Sequence, residues 1–171
     1  NRRGVPFFGK NAPDPRPPVR IFLGTEPAQH RAERVFFHSL RKVRNPARVY
    51  EVYRMTRLPG FAQGRWRTGF TNFRFAIPDL AGRHGRAIYN DVDQIYLADP
   101  AALFELDLAG HGFLAIAPDD SSVMLMDCAR MAGIWSLERA QRASKAELLR
   151  DALAEPGLYG RLAGEWNARD G

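Results

Sequence analysis

Two carboxylates stand one residue apart, Asp91 and Asp93, inside the run IYNDVDQIYL at residues 88–97. Carboxylates held that close repel each other unless a cation sits between them. Mg2+ or Mn2+ answers that need. These hard cations take a few protein oxygens and fill their other positions with water or phosphate oxygens. The apolar residues before Asp91 read as a buried strand, Arg86 to Asn90, that delivers the pair at its end. Open α/β sheets bind ligands outside the carboxyl ends of their strands. A solvated turn is the plain alternative for Asp91-Val92-Asp93. A second acidic pair, Asp119-Asp120, follows Pro118 and reads first as a solvated turn.

A set of short elements must position these groups. VRIFLG, Val19 to Gly24, is a β-prone run ended by glycine and reads as a strand buried on both faces. Ala28, Ala32, Val35, Phe36, Leu40 and Val43 then form a helical stripe, which Asn45-Pro46 stops. Ala47 to Tyr53 is β-prone again, so the chain opens strand, helix, strand, the pattern of a right-handed crossover in a parallel sheet. Thr71 to Leu80 reads as a helix in which Pro78 costs a hydrogen bond. Gln94 to Leu97 reads as a short extended piece, and Ala101 to Phe104 as one helical turn. Phe113–Ala117 and Ser122–Met126 are two more apolar runs. Ser144 and Glu147 carry the spacing of a capping box, and Pro156-Gly157 closes the helix that follows.

Composition narrows the function. The chain has 171 residues, 45% of them apolar and 11% aromatic, enough for one core. Residues 1–18, with Pro13, Pro15, Pro17 and Pro18, read as an arm, and 19–171 as one domain. The net charge is +6, with only three lysines among 25 basic residues. That charge could meet a polyanion. Its arginines are spread along the chain and no nucleic-acid motif accompanies them, so a nucleic-acid partner is not expected. No apolar run approaches the ~20 residues of a membrane helix, and one cysteine, Cys128, excludes an intramolecular disulfide framework. No apolar signal segment opens the sequence. The expected location is cytoplasmic, either free or peripheral at the inner face of the membrane.

Several pieces stand in the order seen in GT-A fold glycosyltransferases that use nucleotide-diphosphate sugars, and most resemble the bacterial-type, family 8-like group. IFLGTEP resembles that family's first strand and nucleotide-binding turn, and FTNFRFAIPDLAG its arginine-bearing helix. AIYNDVDQIYLADPAALF resembles the metal-binding strand with its D-x-D motif. SSVMLMD and EWN resemble later elements, so the likeness spans roughly residues 19–167. It implies a single Rossmann-like α/β domain, a mostly parallel central sheet flanked by helices, and transfer of a sugar, from UDP-sugar first, to a hydroxyl acceptor on a glycan, lipid or protein. By position it implies Asp91 and Asp93 as ligands of Mn2+ or Mg2+. It implies Thr25, Glu26, Arg74, Asp91, Ser121 and Ser122 as donor-binding residues. Read from the residues themselves, Asp119 and Asp120 could also face the acceptor.

Each residue also has a plainer reading. Arg74 could be a surface arginine paired with Asp79. Glu26 could favour the first helix through its dipole, and Ser121 and Ser122 are common turn residues. The family's third metal ligand, a histidine well beyond the Trp-Asn element, has no counterpart up to Gly171, which reads as a domain truncated at its C-terminus. The aspartate-glutamine element expected before EWN is not recognisable either. Two alternatives follow. One is a degenerate or truncated domain that binds without turnover. The other is a haloacid-dehalogenase-like phosphatase, which also places D-x-D at a strand end but near the chain start.

Overall fold

A computed structural model describes residues 5–7, 14–61 and 70–168, the first three by their backbone alone. The elements in chain order are β1 (Val5–Phe7), β2 (Val19–Gly24), α1 (His30–Val43), β3 (Tyr50–Met55), α2 (Ile77–Leu80), β4 (Arg86–Asp91) and α3 (Pro100–Phe104). They continue with β5 (Phe113–Ala115), β6 (Val123–Asp127), α4 (Cys128–Met131), α5 (Leu137–Arg142), α6 (Lys145–Ala154) and β7 (Tyr159–Arg161). The seven strands form one sheet in the order β1-β3-β2-β4-β6-β5-β7. β2 pairs in parallel with β3 and β4, as the strand-helix-strand opening predicts. β6 runs antiparallel to both β4 and β5, and β1 antiparallel to β3. With β7 parallel to β5, five of the seven strands share one direction, so the sheet is mostly parallel.

Strand alternation sorts the core into two layers. Val19, Ile21 and Leu23 of β2, Ile88 of β4 and Val123 and Leu125 of β6 pack with Phe36 and Leu40 of α1 and Leu103 of α3. Phe22, Ala87, Tyr89, Met124 and Met126 point the other way, against Phe75, Ile77, Trp135 and Leu148. Helices therefore cover both faces, which is why these strands read as continuous apolar runs. The same alternation decides the site. Tyr89 and Asp91 are two residues apart, so both serve the face covered by α2, α5 and α6.

Several local expectations change. The Thr71–Leu80 segment is a 3-10 turn, Phe73–Ala76, running into the four-residue α2. Pro78 is the second residue of α2, where a missing N–H loses no helical bond. Gln94–Leu97 is not a strand, because Gln94 N–H donates to the Asp91 carbonyl and turns the chain. Within the expected arm, Val5–Phe7 adds an edge strand, a position that tolerates Pro6. The capping box at Ser144 is present in full. The rest of the arm to residue 13 and residues 62–69 lie outside the described residues.

Candidate functional site

The carboxyl end of β4 opens into a cavity of about 660 Å3. Arg74, Asp91, Asp93, Ser121 and Ser122 line it. The end of β4 is pinned on both sides: Asp91 N–H donates to the Ser122 carbonyl and Val92 N–H to the Gly24 carbonyl. Gly24 itself has no room for a side chain. A Cβ there would come within 2.1 Å of the Tyr89 hydroxyl and 2.9 Å of the Phe70 ring.

Arg74 is the hub. It is 4% exposed. Its Nε donates to the Thr71 carbonyl at 2.8 Å, one terminal nitrogen to the Ser121 carbonyl and to Ser121 Oγ (2.9 Å), and the other to Asp91 Oδ1 at 2.9 Å. Those four bonds leave one N–H of the five that a guanidinium owns. The guanidinium also stacks on the Tyr89 ring, 4.5 Å from its centroid. Its partner is thus Asp91 and not Asp79, whose carboxylate is held by Arg83 and by the Leu137 N–H. The Tyr89 hydroxyl donates to the same Asp91 oxygen. Burial pushes the Asp91 carboxyl above its usual range, Arg74 and Tyr89 pull it back, and Asp93 pushes it up again.

Asp91 thus has Oδ1 spoken for, while Oδ2 makes no hydrogen bond among the described residues. Asp93 follows the turn at Asp91 and is exposed, with no hydrogen bond or ion pair among the described residues. Two hard oxygen donors on an open cavity could hold Mg2+ or Mn2+, with phosphate and water filling the rest. Among the described residues no cluster of three His, Cys, Asp or Glu side chains is built for a metal.

The remaining predicted residues divide. Ser121 is buried and spends its carbonyl and hydroxyl on Arg74. Ser122 donates from N–H and Oγ to Asp120, and its Oγ accepts from Asn167 Nδ2 at 2.9 Å. Asn167, the last residue of the EWN segment, thereby ties the chain's end to the cavity wall. Thr25 and Glu26 are not among the lining residues. Thr25 is fully buried and donates to Glu33, which Arg54 neutralises at 2.6 Å. Glu33, not Glu26, is the acid in the first turn of α1.

Further lining residues include Gln29, Asp119, Asp120 and Lys145. The acidic pair, read from sequence first as a solvated turn, forms part of its wall. Lys145 opens α6 immediately after the Ser144 cap. Burial lowers its ammonium pKa, as does nearby Arg74, against the pull of Asp91, Asp120 and Asp119. It makes no hydrogen bond or ion pair among the described residues. The capping box located this helix in the sequence, but only the fold turns its first residue towards Asp91. The cavity therefore gathers four carboxylates, a buried guanidinium and an ammonium with no ion pair among the described residues.

No family model matches the chain, and no curated protein matches it. Solved structures do match. Over 89% of its length the chain is similar to the glycosyltransferase GlyE of Streptococcus pneumoniae TIGR4, with a TM-score of 0.62 and 16% identity. The bifunctional glycosyltransferase WbbM matches 85% of the chain with a TM-score of 0.61 and 11% identity, covering 36% of WbbM. The galactosyltransferase LgtC, solved with donor and acceptor sugar analogs, matches 85% of the chain with a TM-score of 0.57 and 10% identity, covering 74% of LgtC. The chain spans about half the length of GlyE, 47%. The fold is that of a glycosyltransferase domain.

Proposed function

We propose that this chain is a metal-dependent glycosyltransferase that moves a sugar from a nucleotide-diphosphate sugar, UDP-sugar first, to a hydroxyl acceptor. One observation carries the reading: Asp91, Asp93 and Arg74 converge on a single cavity at the strand ends of a glycosyltransferase fold. Asp91 and Asp93 would hold Mn2+ or Mg2+, which would neutralise charge on the leaving diphosphate. Arg74 fixes Asp91 and the Ser121 turn in place, and its last N–H is available to the donor. Lys145 is the ammonium left to meet a phosphate oxygen. Both cations act in a partly desolvated site, where charge stabilisation counts most. Asp119 and Asp120, in the cavity wall, would face the acceptor.

Calorimetry tests this directly. UDP and UDP-sugars should bind in the presence of Mn2+ and lose that binding in Asp93→Ala, a change at an exposed side chain. Equal binding by the parent and Asp93→Ala would overturn the assignment. A second reading, a domain that binds the nucleotide without turnover, is favoured by there being no group of three or more His, Cys, Asp or Glu side chains built for a metal among the described residues. Metal-dependent binding without release of UDP, across a panel of acceptors, would select it.

A further inference from the structure

The outer face of α1 carries a stripe that the cavity does not use. Arg31, Arg34, Val35, His38 and Arg41 line a shallow groove of about 510 Å3, and Lys42 lies beside them. At about 100° per residue these six positions fall within an arc of roughly 120°. The only acid on the helix is Glu33, on the buried side and bound to Arg54 and Thr25. Arg31, Arg34 and Lys42 make no ion pair or hydrogen bond among the described residues, and Arg41 bonds only to its own helix at Phe37. Like charges three and four apart on a helix repel, so this face is at odds with itself until an anion covers it.

Apolar side chains stand beside the cations. Val35 is 55% exposed within the stripe. The loop after β4 packs against α1 beyond the Val35 edge of the stripe: Tyr96 N–H donates to Ser39 Oγ at 3.0 Å, and the Tyr96 ring meets the buried Phe36 at 5.4 Å. That contact leaves the neighbours of Tyr96 outward, with Ile95 51% and Leu97 83% exposed.

We propose that this face, α1 together with Ile95 and Leu97, docks on an anionic lipid bilayer. Charge complementarity selects an anionic partner. The protruding aliphatic residues select a bilayer over a nucleic acid, because they can enter the headgroup boundary while the arginines meet lipid phosphates. No helix among the described residues is long and apolar enough to cross a membrane, so the association is with the surface. It does not depend on what the cavity binds.

Vesicle co-sedimentation tests the proposal with the full chain. The protein should sediment with vesicles of phosphatidylcholine mixed with phosphatidylglycerol, not with phosphatidylcholine alone, and should release as salt rises. Reversing Arg31, Arg34 and Arg41 to Glu should weaken the partition on the order of 100-fold or more, since each basic residue near such a surface contributes severalfold. Ile95→Ser with Leu97→Ser should weaken it without changing net charge. A control triple, Arg57, Arg130 and Arg161 to Glu, matches the charge change away from α1 and should retain most of the binding. Circular dichroism checks that each variant is folded. Equal losses in the two triples, no binding to the anionic vesicles, or binding of duplex DNA in place of vesicles would overturn the proposal.

Discussion

The cavity and the outer face of α1 both present cations, yet they treat charge in opposite ways. In the cavity, Arg74 is buried and holds three groups at once, the Asp91 carboxylate, the Ser121 turn and the Thr71 carbonyl. On α1 the cations share one sign, face solvent and lack acid partners among the described residues. A buried ion must be positioned by its surroundings, because leaving it unpaired is costly. A solvated one needs only to be on the right side of the molecule. The first arrangement suits a ligand of defined geometry, and the second a broad surface of opposite charge.

Mutations should separate the two regions by size of effect. Arg74→Met breaks a buried ion pair and strands the Asp91 carboxylate, so it should cost about 3–5 kcal/mol in denaturant unfolding. Gly24→Ala should come next, at about 1–3 kcal/mol, because the new methyl collides with the Tyr89 hydroxyl and must push it away from Asp91. Ser144→Ala removes the cap that starts α6 at Lys145 and should cost about 1 kcal/mol.

The pH dependence of that cap has a definite sign. The Ser144 hydroxyl and N–H hold the Glu147 carboxyl below its ordinary 4.5. The folded state therefore binds this proton less readily than the unfolded one. The stabilisation is fully present above pH 4.5 and is lost as pH falls through the lowered value. An acid-unfolding titration of Ser144→Ala should lack this component. The smallest effect belongs to α1: Arg34→Gln should leave stability within about 0.5 kcal/mol, as judged by thermal melting. A large loss there would erase the contrast between the two regions.

The sequence exposes those parts that rest on local pattern. Apolar runs buried on both faces marked β2, β4 and β6, and the run into Asp91-Val92-Asp93 placed both carboxylates at a strand end. The stripe from Ala28 to Val43 marked α1, and Ser144 with Glu147 marked α6. Partners chosen by tertiary packing were not legible. Arg74 has Asp79 nearer in sequence, yet the alternation that puts Tyr89 and Asp91 on one face gives it Asp91. β6 follows β4 in the sheet but runs against it, and nothing in its apolar run states a direction. β1 is a strand only because β3 offers it an edge. Thr25 carries no sign of the Glu33 carboxylate eight residues on, which takes its hydroxyl. Lys145 looks like any lysine at a helix start until α6 is docked.

The central claim is that Asp91 and Asp93 form the metal and diphosphate end of a donor site. A crystal of the protein with Mn2+ and UDP, recorded for anomalous scattering from manganese, tests it most directly. The account predicts one manganese peak bridging Asp91, Asp93 and the diphosphate, with Lys145 turned towards a phosphate oxygen. UDP bound elsewhere, or a manganese peak away from both carboxylates, would contradict it.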